Sequence, residues 1–201
     1  MAVIGTTQLS VMHRQLPNQI TKEKKHFNIN HMQTSAVRLY SLTYNEAKTY
    51  LVALLFVVGN VALPQLCHTF HLGGPTWLPI YLCTLIGAYK YGWRVGLLTA
   101  VVSPLLNAAL FGMPAWGAVP SILIKSVLLA IMASYAAHRY QKVSLSLLFV
   151  VVLGYQVVGT LGEWMISGNL FEATQDFRIG IPGMLVQIFG GWAIVKFLLR
   201  K

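Results

Sequence analysis

Acidic residues are scarce in this chain. Five Asp and Glu residues stand against fifteen Lys and Arg in 201 residues, and charged residues make up only 10% of the sequence. Hydrophobic residues make up 56%. Because a soluble domain of this size needs a more polar surface, the composition predicts a membrane protein.

Motifs that carry enzyme chemistry are also missing. The sequence has no Gly-x-x-x-x-Gly-Lys-Ser/Thr loop for nucleotides, no Gly-x-Ser-x-Gly elbow, no His-Glu-x-x-His helix and no Cys-x-x-Cys pair. The two cysteines, Cys67 and Cys83, are predicted to be buried free thiols. The loops are too short to hold an ATPase domain. We therefore predict that the chain is not an enzyme and uses no cofactor.

Six apolar segments, numbered here in order, cover roughly 47–66, 76–89, 92–111, 117–137, 143–166 and 179–199. Most approach the roughly 20 residues with which an α-helix crosses a hydrocarbon core of about 30 Å. The clear apolar part of segment 2 covers only about 20 Å, so it needs its Gly-Gly-Pro lead-in or a protein-buried start. The prediction is an all-α integral membrane protein with six transmembrane helices in residues 47–201.

Basic residues give this bundle an orientation. With both termini in the cytoplasm, nearly all basic loop residues lie inside, and Arg178 is the one on the outer side. The inner group is Arg38, Lys48, Lys90, Arg94, Arg139, Lys142, Lys196, Arg200 and Lys201. Without segment 2 this asymmetry is lost, so six spans are favoured over five. The net charge of +10 is then mainly an orientation signal in the inner (cytoplasmic) membrane of the cell, and nucleic-acid binding has little support.

Residues 1–46 differ from the rest. They are polar, lack the apolar core of a signal peptide and show no helical or strand period. We predict a disordered basic tail, and Met32 is an alternative start of translation. A targeting role for the tail is the second interpretation.

Lys125 is the most informative residue, because it is the only charge in an apolar stretch predicted to cross the membrane. Other polar residues recur at helical spacing, which places them on inward faces. They are Ser121 in segment 4, Gln156, Thr160, Glu163 and Ser167 in segment 5, Thr99, Ser103 and Asn107 in segment 3, and Gln187 in segment 6. Most of the strongly polar groups fall in the outer half, which predicts a binding pocket that is open to the outside.

Two interpretations of Lys125 remain open. In one, Lys125 and Glu163 form an ion pair that only orders the bundle. In the other, Lys125 holds a ligand carboxylate or another acceptor, and Glu163 is its counter-ion or a hydrogen-bond acceptor. A lysine favours an anionic ligand, unless Glu163 neutralises it and leaves selection to stacking on tryptophan rings. The Ser and Thr residues are expected mainly to bond their own backbone or neighbouring helices.

The outer loops supply further candidate ligand-binding residues: His68, His71, Trp77 and Trp116. Glycines in these loops allow a lid to form over a small organic molecule. A rival hypothesis is transition-metal uptake through Cys67, His68 and His71, although such sites want three or four ligands and no second cluster continues the path inward. A third is a membrane scaffold without transport.

The sequence resembles the substrate-binding S components of energy-coupling factor (ECF) transporters, which take up vitamins and related micronutrients. The resemblance covers roughly residues 47–199. It rests on Leu63-Pro64, His68-Thr-Phe-His71, Gly74-Pro75-Thr-Trp-Leu-Pro79, Ile86-Gly87, Tyr91-Gly92-Trp-Arg-Val-Gly96, Ser103-Pro104-Leu-Leu-Asn107, Phe111-Gly112-Met113-Pro114 and Ile181-Pro182-Gly183 with Gln187.

This resemblance implies a high-affinity site near the outer surface, formed by segments 4 to 6 under the loops that follow segments 1, 3 and 5. It also implies a transmembrane T subunit and cytoplasmic ATPases as partners. The family commonly docks its T subunit through Ala-x-x-x-Ala on the first helix. Here Ala53 is followed four residues later by Val57, so Gly59, Ala62 or Gly92-x-x-x-Gly96 are the alternative small-residue surfaces.

Overall fold

The computed structural model describes residues 42–69 and 74–199, and all regular structure within these ranges is helical. Five helices are long and apolar enough to cross a membrane: Ala47–Thr69, Trp93–Phe111, Trp116–Tyr140, Leu145–Ser167 and Ile181–Leu199. They match segments 1, 3, 4, 5 and 6 within a few residues. The protein therefore has the helices of a multi-pass membrane protein. The predicted tail lies outside the described residues, apart from 42–46.

The α-helices are numbered in chain order. They are α1 (Ala47–Thr69), α2 (Gly74–Trp77), α3 (Leu82–Tyr91), α4 (Trp93–Phe111), α5 (Val119–Tyr140), α6 (Leu145–Ser167), α7 (Leu170–Ala173), α8 (Gln175–Ile179), α9 (Ile181–Leu185) and α10 (Gly191–Leu199). Short 3₁₀ turns at Pro79–Tyr81 and Trp116–Ala118 precede α3 and α5, and a π-helical turn at Val186–Gly190 joins α9 to α10.

Segment 2 forms the short helix α3 at the centre of the bundle. It packs against α1, α4, α5 and α10, and Leu85 and Ala88 are completely buried. A helix surrounded by protein need not match the thickness of the lipid core, because its ends are satisfied by neighbouring helices. This explains how a segment of only 10 helical residues fits between much longer ones.

Glycine allows the helices around α3 to approach closely. A Cβ atom at Gly96 of α4 would lie 2.5 Å from the Ala88 Cβ and 3.2 Å from the Ala130 Cβ. No side chain larger than hydrogen fits there, so α4 contacts α3 and α5 almost backbone to backbone. Gly96, one of the small residues considered for docking a partner, is therefore used inside the bundle.

Asn60 links α1 to α3 and α4. Its Nδ2 donates to Thr84 Oγ1 at 2.8 Å and to Ser103 Oγ at 3.2 Å, and its Oδ1 accepts from the Cys83 N–H at 3.1 Å. Asn107 Nδ2 donates to the Asn60 carbonyl at 3.1 Å. Asn60 and Asn107 are both completely buried. We call these residues the Asn60 network, and its hydrogen bonds hold three helices together where the surroundings offer no water.

We expect Asn60→Ala to lower the stability of the bundle by about 1–2 kcal/mol, because a lost interhelical bond in a membrane protein costs about 0.6–2 kcal/mol and the partners of Asn60 stay buried. Thermal unfolding of the purified protein in detergent measures this loss. Leu54→Ala is the matched control, since Leu54 lies on the same helix and is 61% exposed. Equal effects of the two substitutions would contradict the role of the Asn60 network.

Basic residues gather at one end of the bundle. Lys90 Nζ donates to the Leu198 carbonyl at 2.9 Å, and an Arg94 guanidinium N–H donates to the Leu42 carbonyl at 3.2 Å. Tyr89 donates to the Lys142 carbonyl at 2.5 Å. The opposite end contains the start of α5, the end of α6 and the start of α9, and we call it the site end.

Candidate functional site

Lys125 lies between two carboxylates. Its Nζ donates a hydrogen bond to Asp176 Oδ2 at 2.8 Å and lies 2.5 Å from Glu163 Oε2. The Lys125 side chain is 4% exposed, compared with 21% for Glu163 and 13% for Asp176. Two nearby carboxylates offset the cost of burying the ammonium. We call the three residues the ion triad.

Helix geometry brings the triad together. At 1.5 Å per residue, Lys125 lies about 9 Å from the start of α5, and Glu163 about 6 Å from the end of α6. The short connection between α5 and α6 makes them antiparallel neighbours, so both side chains lie at the site end. The sequence therefore predicted the pairing of Lys125 with Glu163 as one of its two alternatives.

Gly159 makes room for the stem of Lys125. A Cβ atom at this position of α6 would lie 2.5 Å from Lys125 Cγ and 3.5 Å from Lys125 Cβ. The aliphatic part of the lysine therefore runs across the backbone of α6, and its ammonium reaches Glu163 one turn further on. Gly159 is a positioning residue for the triad.

Asp176 is the triad member that sequence analysis missed. It lies in α8, in the connection between α6 and α9, and it is buried although Gln175 and Arg178 beside it are exposed. Its position in a loop between two predicted spans hid its depth. One signal was available: three of the four acids in the described ranges, Glu163, Glu172 and Asp176, occur close together in the sequence.

Local hydrogen bonds order the loop that carries Asp176. The Asn169 side chain accepts from the Phe171 and Glu172 N–H groups, which caps α7. Arg178 donates to the Phe171 carbonyl at 3.2 Å, and its guanidinium lies 3.7 Å from the centre of the Phe171 ring. These contacts fix the loop from outside while Asp176 points inward to Lys125.

Several buried polar atoms in the described part of the chain have no hydrogen-bond partner. On α5, α6 and the π-helical turn they include Ser126 Oγ, both amide atoms of Gln156, Thr160 Oγ1 and Gln187 Nε2. Gln156 and Gln187 are completely buried, and Thr160 is 7% exposed. Gln156, Gly159, Thr160 and Glu163 follow one face of α6, and the contact of Gly159 with Lys125 turns that face toward α5. Unsatisfied buried amides are rare and costly, so this face has the capacity to bind a polar molecule.

Two tyrosines connect this face to the last transmembrane segment. Tyr155 donates to Gln187 Oε1 at 2.8 Å, and the Tyr81 and Tyr155 ring centres lie 5.6 Å apart. Gln187 lies in the π-helical turn, a rare geometry that is frequent at functional sites. Gln187 was a predicted site residue, and the structure positions it through Tyr155.

Trp77 and Leu78 cover the start of α9. A Cβ atom at Gly183 would lie 2.5 Å from both the carbonyl carbon and oxygen of Trp77. Leu78 is buried and has a left-handed backbone, with φ 46° and ψ 44°, which is unusual for a bulky residue. The predicted site residue Trp77 is half-buried here.

The other predicted site residues lie apart from the triad. Asn107 belongs to the Asn60 network and makes no bond to the triad. Trp116 is 61% exposed, and His68 is exposed near the end of α1. His71 lies outside the described residues. Within 42–69 and 74–199 no group of three His, Cys, Asp or Glu residues is arranged to hold a metal ion.

Comparisons of the chain with known protein families, with curated protein sequences and with solved structures found no match.

Proposed function

We propose that this chain is a substrate-binding membrane subunit for uptake of a small organic micronutrient, of the type found in ECF transporters. The observation that carries the proposal is a set of buried polar atoms without partners, on the α6 face that leads to the ion triad and on Gln187. Gln156 and Thr160 lie on the face that Gly159 turns toward Lys125, and Gln187 is hydrogen-bonded to Tyr155, the residue before Gln156. A bundle that only needed stability would gain by replacing them with apolar residues.

Six spans with both termini inside remain part of the proposal. The central position of α3 supports a sixth crossing, because Pro79–Tyr91 covers about 20 Å while protein surrounds it. The basic residues Lys90, Arg94, Arg139 and Lys142 then share the cytoplasmic side, as the positive-inside rule requires.

A transmembrane T subunit and cytoplasmic ATPases complete the proposed transporter, since this chain has no nucleotide-binding motif of its own. Ala53 and Val57 of α1 are each 4% exposed, and a Cβ at Gly59 would lie 2.8 Å from Cys83 Sγ. These small residues thus pack inside the bundle. The face of α1 available to a partner or to lipid carries Leu51, Leu54 and Leu55.

A scaffold without a ligand is the second candidate function. The observation in its favour is that both carboxylates already neutralise Lys125, as an ion cluster that merely orders the bundle would do. It gives no reason for the unsatisfied amides, and we therefore prefer the binding subunit.

Native mass spectrometry of the purified chain tests the proposal. We expect one vitamin-sized organic molecule per chain, and we expect Gln156→Leu to reduce its occupancy at least about tenfold, because a buried amide contact is worth about 1.5 kcal/mol or more. When both proteins are first freed of ligand, the melting temperature of Gln156→Leu should stay unchanged or rise relative to the unsubstituted chain, since the Gln156 amide has no hydrogen-bond partner.

Ser103→Ala is the control. Because Ser103 belongs to the Asn60 network, the Ser103→Ala protein should retain the ligand. A chain that never carries an organic molecule, or a Gln156→Leu protein that loses stability but keeps its ligand, would favour the scaffold.

A further inference from the structure

We propose that the site takes an organic cation, a protonated amine. This inference rests on the proposed function and specifies its substrate class. The sequence left two alternatives: an anionic ligand held by Lys125, or a Lys125–Glu163 pair without net charge. Asp176, which the structure adds to the site, makes the formal charge of the cluster negative.

The charge of the ion triad carries the inference. One ammonium faces two carboxylates, which leaves a formal charge of −1 in a largely buried cluster. Lys125 already has an oxygen at 2.5 Å and another at 2.8 Å, so an anionic ligand would bring a third negative group to the same ammonium. A cation instead removes an uncompensated charge from a region of low dielectric constant.

The positive group nearest in sequence to Asp176, Arg178, does not neutralise the negative charge of the triad. The Arg178 guanidinium donates to the Phe171 carbonyl and stacks on the Phe171 ring, and it forms no ion pair with Asp176 or Glu172. Glu172 is exposed on the same loop and adds negative charge at the site end. In the described part of the chain, the other lysines and arginines, apart from Lys48 in the first turn of α1, lie at the end of the bundle opposite the site end. They are Lys90, Arg94, Arg139, Lys142 and Lys196.

The unsatisfied amides are an independent observation that points to a ligand. The Gln156 side chain is completely buried, and its carbonyl oxygen accepts no hydrogen bond. That oxygen and the hydroxyl of Thr160 are acceptors for the N–H groups of an amine. The Tyr81 and Tyr155 rings pack together with their centres 5.6 Å apart, and Tyr155 donates to Gln187. Aromatic rings are favourable surfaces for a cation.

Three matched small molecules test the charge preference: benzylammonium, benzyl alcohol and benzoate. Each is titrated against the purified full chain in detergent, and binding is measured by thermal shift and calorimetry. We expect benzylammonium to bind at least about tenfold more tightly than benzyl alcohol, because the amine forms a charge-assisted contact, and we expect benzoate to bind most weakly.

Substitutions then locate the effect. Asp176→Asn and Glu163→Gln should each remove the preference for benzylammonium over benzyl alcohol. Glu172→Gln is the matched control: it removes the same charge from the same loop, and should keep the preference because Glu172 is exposed and outside the triad. If Asp176→Asn does not fold, Glu163→Gln alone tests whether the triad sets the charge preference. Glu163 is the more exposed carboxylate, so its substitution should disturb folding less.

The outcomes separate this inference from the proposed function. Tighter binding of benzoate, or equal binding of all three molecules, would overturn the cation preference and leave a binding subunit. An anionic molecule found by native mass spectrometry would likewise overturn the cation preference and leave a binding subunit. A cationic molecule found in this way would support both the cation preference and the binding function. Failure of all three molecules to bind, together with no copurifying molecule, would overturn the binding function itself.

Discussion

Lys125→Met is expected to destabilise the protein strongly, by about 3 kcal/mol, because it leaves the buried Asp176 and the partly exposed Glu163 close together without a cation. For a chain of this size the melting temperature should fall by at least about 6 °C. Thermal unfolding in detergent, followed by tryptophan fluorescence, measures the change.

The same cluster made neutral should be stable. We expect the triple variant Lys125→Met, Glu163→Gln and Asp176→Asn to melt at or near the temperature of the unsubstituted chain freed of its ligand, because replacing a whole buried ion cluster by uncharged groups is often neutral or stabilising. Its ligand occupancy should nevertheless be lost. This variant distinguishes a binding subunit from a scaffold. Once stability has been restored, only a binding subunit still needs the charges of the triad for its function.

The triple variant also has outcomes that would contradict this account. If it retains the ligand, the triad is not the binding site. If Lys125→Met alone costs no more than a surface substitution, the carboxylates are not held against each other as the structure has them. Glu172→Gln gives the reference value for loss of an exposed charge at the same end.

Gly183→Ala is expected to have the second large effect. The new Cβ would meet the Trp77 carbonyl carbon and oxygen at 2.5 Å, and neither backbone atom moves without displacing the whole segment. We expect a stability loss of about 1–3 kcal/mol, as for other overpacked sites. Ligand affinity should fall more than about tenfold, because Trp77 and Leu78 would move away from α9 and shift the π-helical turn that carries Gln187.

Gly190→Ala is the control for Gly183→Ala. It lies at the end of the same π-helical turn, and its new Cβ would only touch Val186 Cγ1 at 3.7 Å, an ordinary contact distance. Stability and ligand occupancy should both stay close to those of the unsubstituted chain. If the two variants behave alike, the close approach of Trp77 to α9 has no role in binding.

The long helices were predictable because hydropathy over about 20 residues is a local property of the chain. Lys125 was identifiable for the same reason, as one charge in an apolar stretch. Helix periodicity then placed Gln156, Thr160 and Glu163 on one face. The pairing of Lys125 with Glu163 followed from antiparallel neighbours, which short loops favour.

Distant contacts were not predictable in the same way. The role of Asn60 was not predictable from the sequence, since one asparagine in an apolar helix has no periodic partner on its own helix. Its partners Thr84 and Ser103 come from two other helices. Asn107 seemed to belong with Lys125 because both are polar and near the outer ends of their helices, yet its bond goes to Asn60. Depth follows from sequence, but the direction that a helix face turns does not.

By itself, the sequence determined the long apolar helices of a multi-pass membrane protein, with a basic side and with a costly lysine near the other side, because hydrophobicity and charge act residue by residue. Only the tertiary structure decided that Asp176 joins Glu163 at Lys125, that α3 is central and that the amides of Gln156 and Gln187 stay partly or wholly unsatisfied. These facts depend on which faces of separate helices meet, and packing between distant segments sets that. The formal charge of the site therefore becomes −1, because Asp176 joins Glu163 around the one lysine.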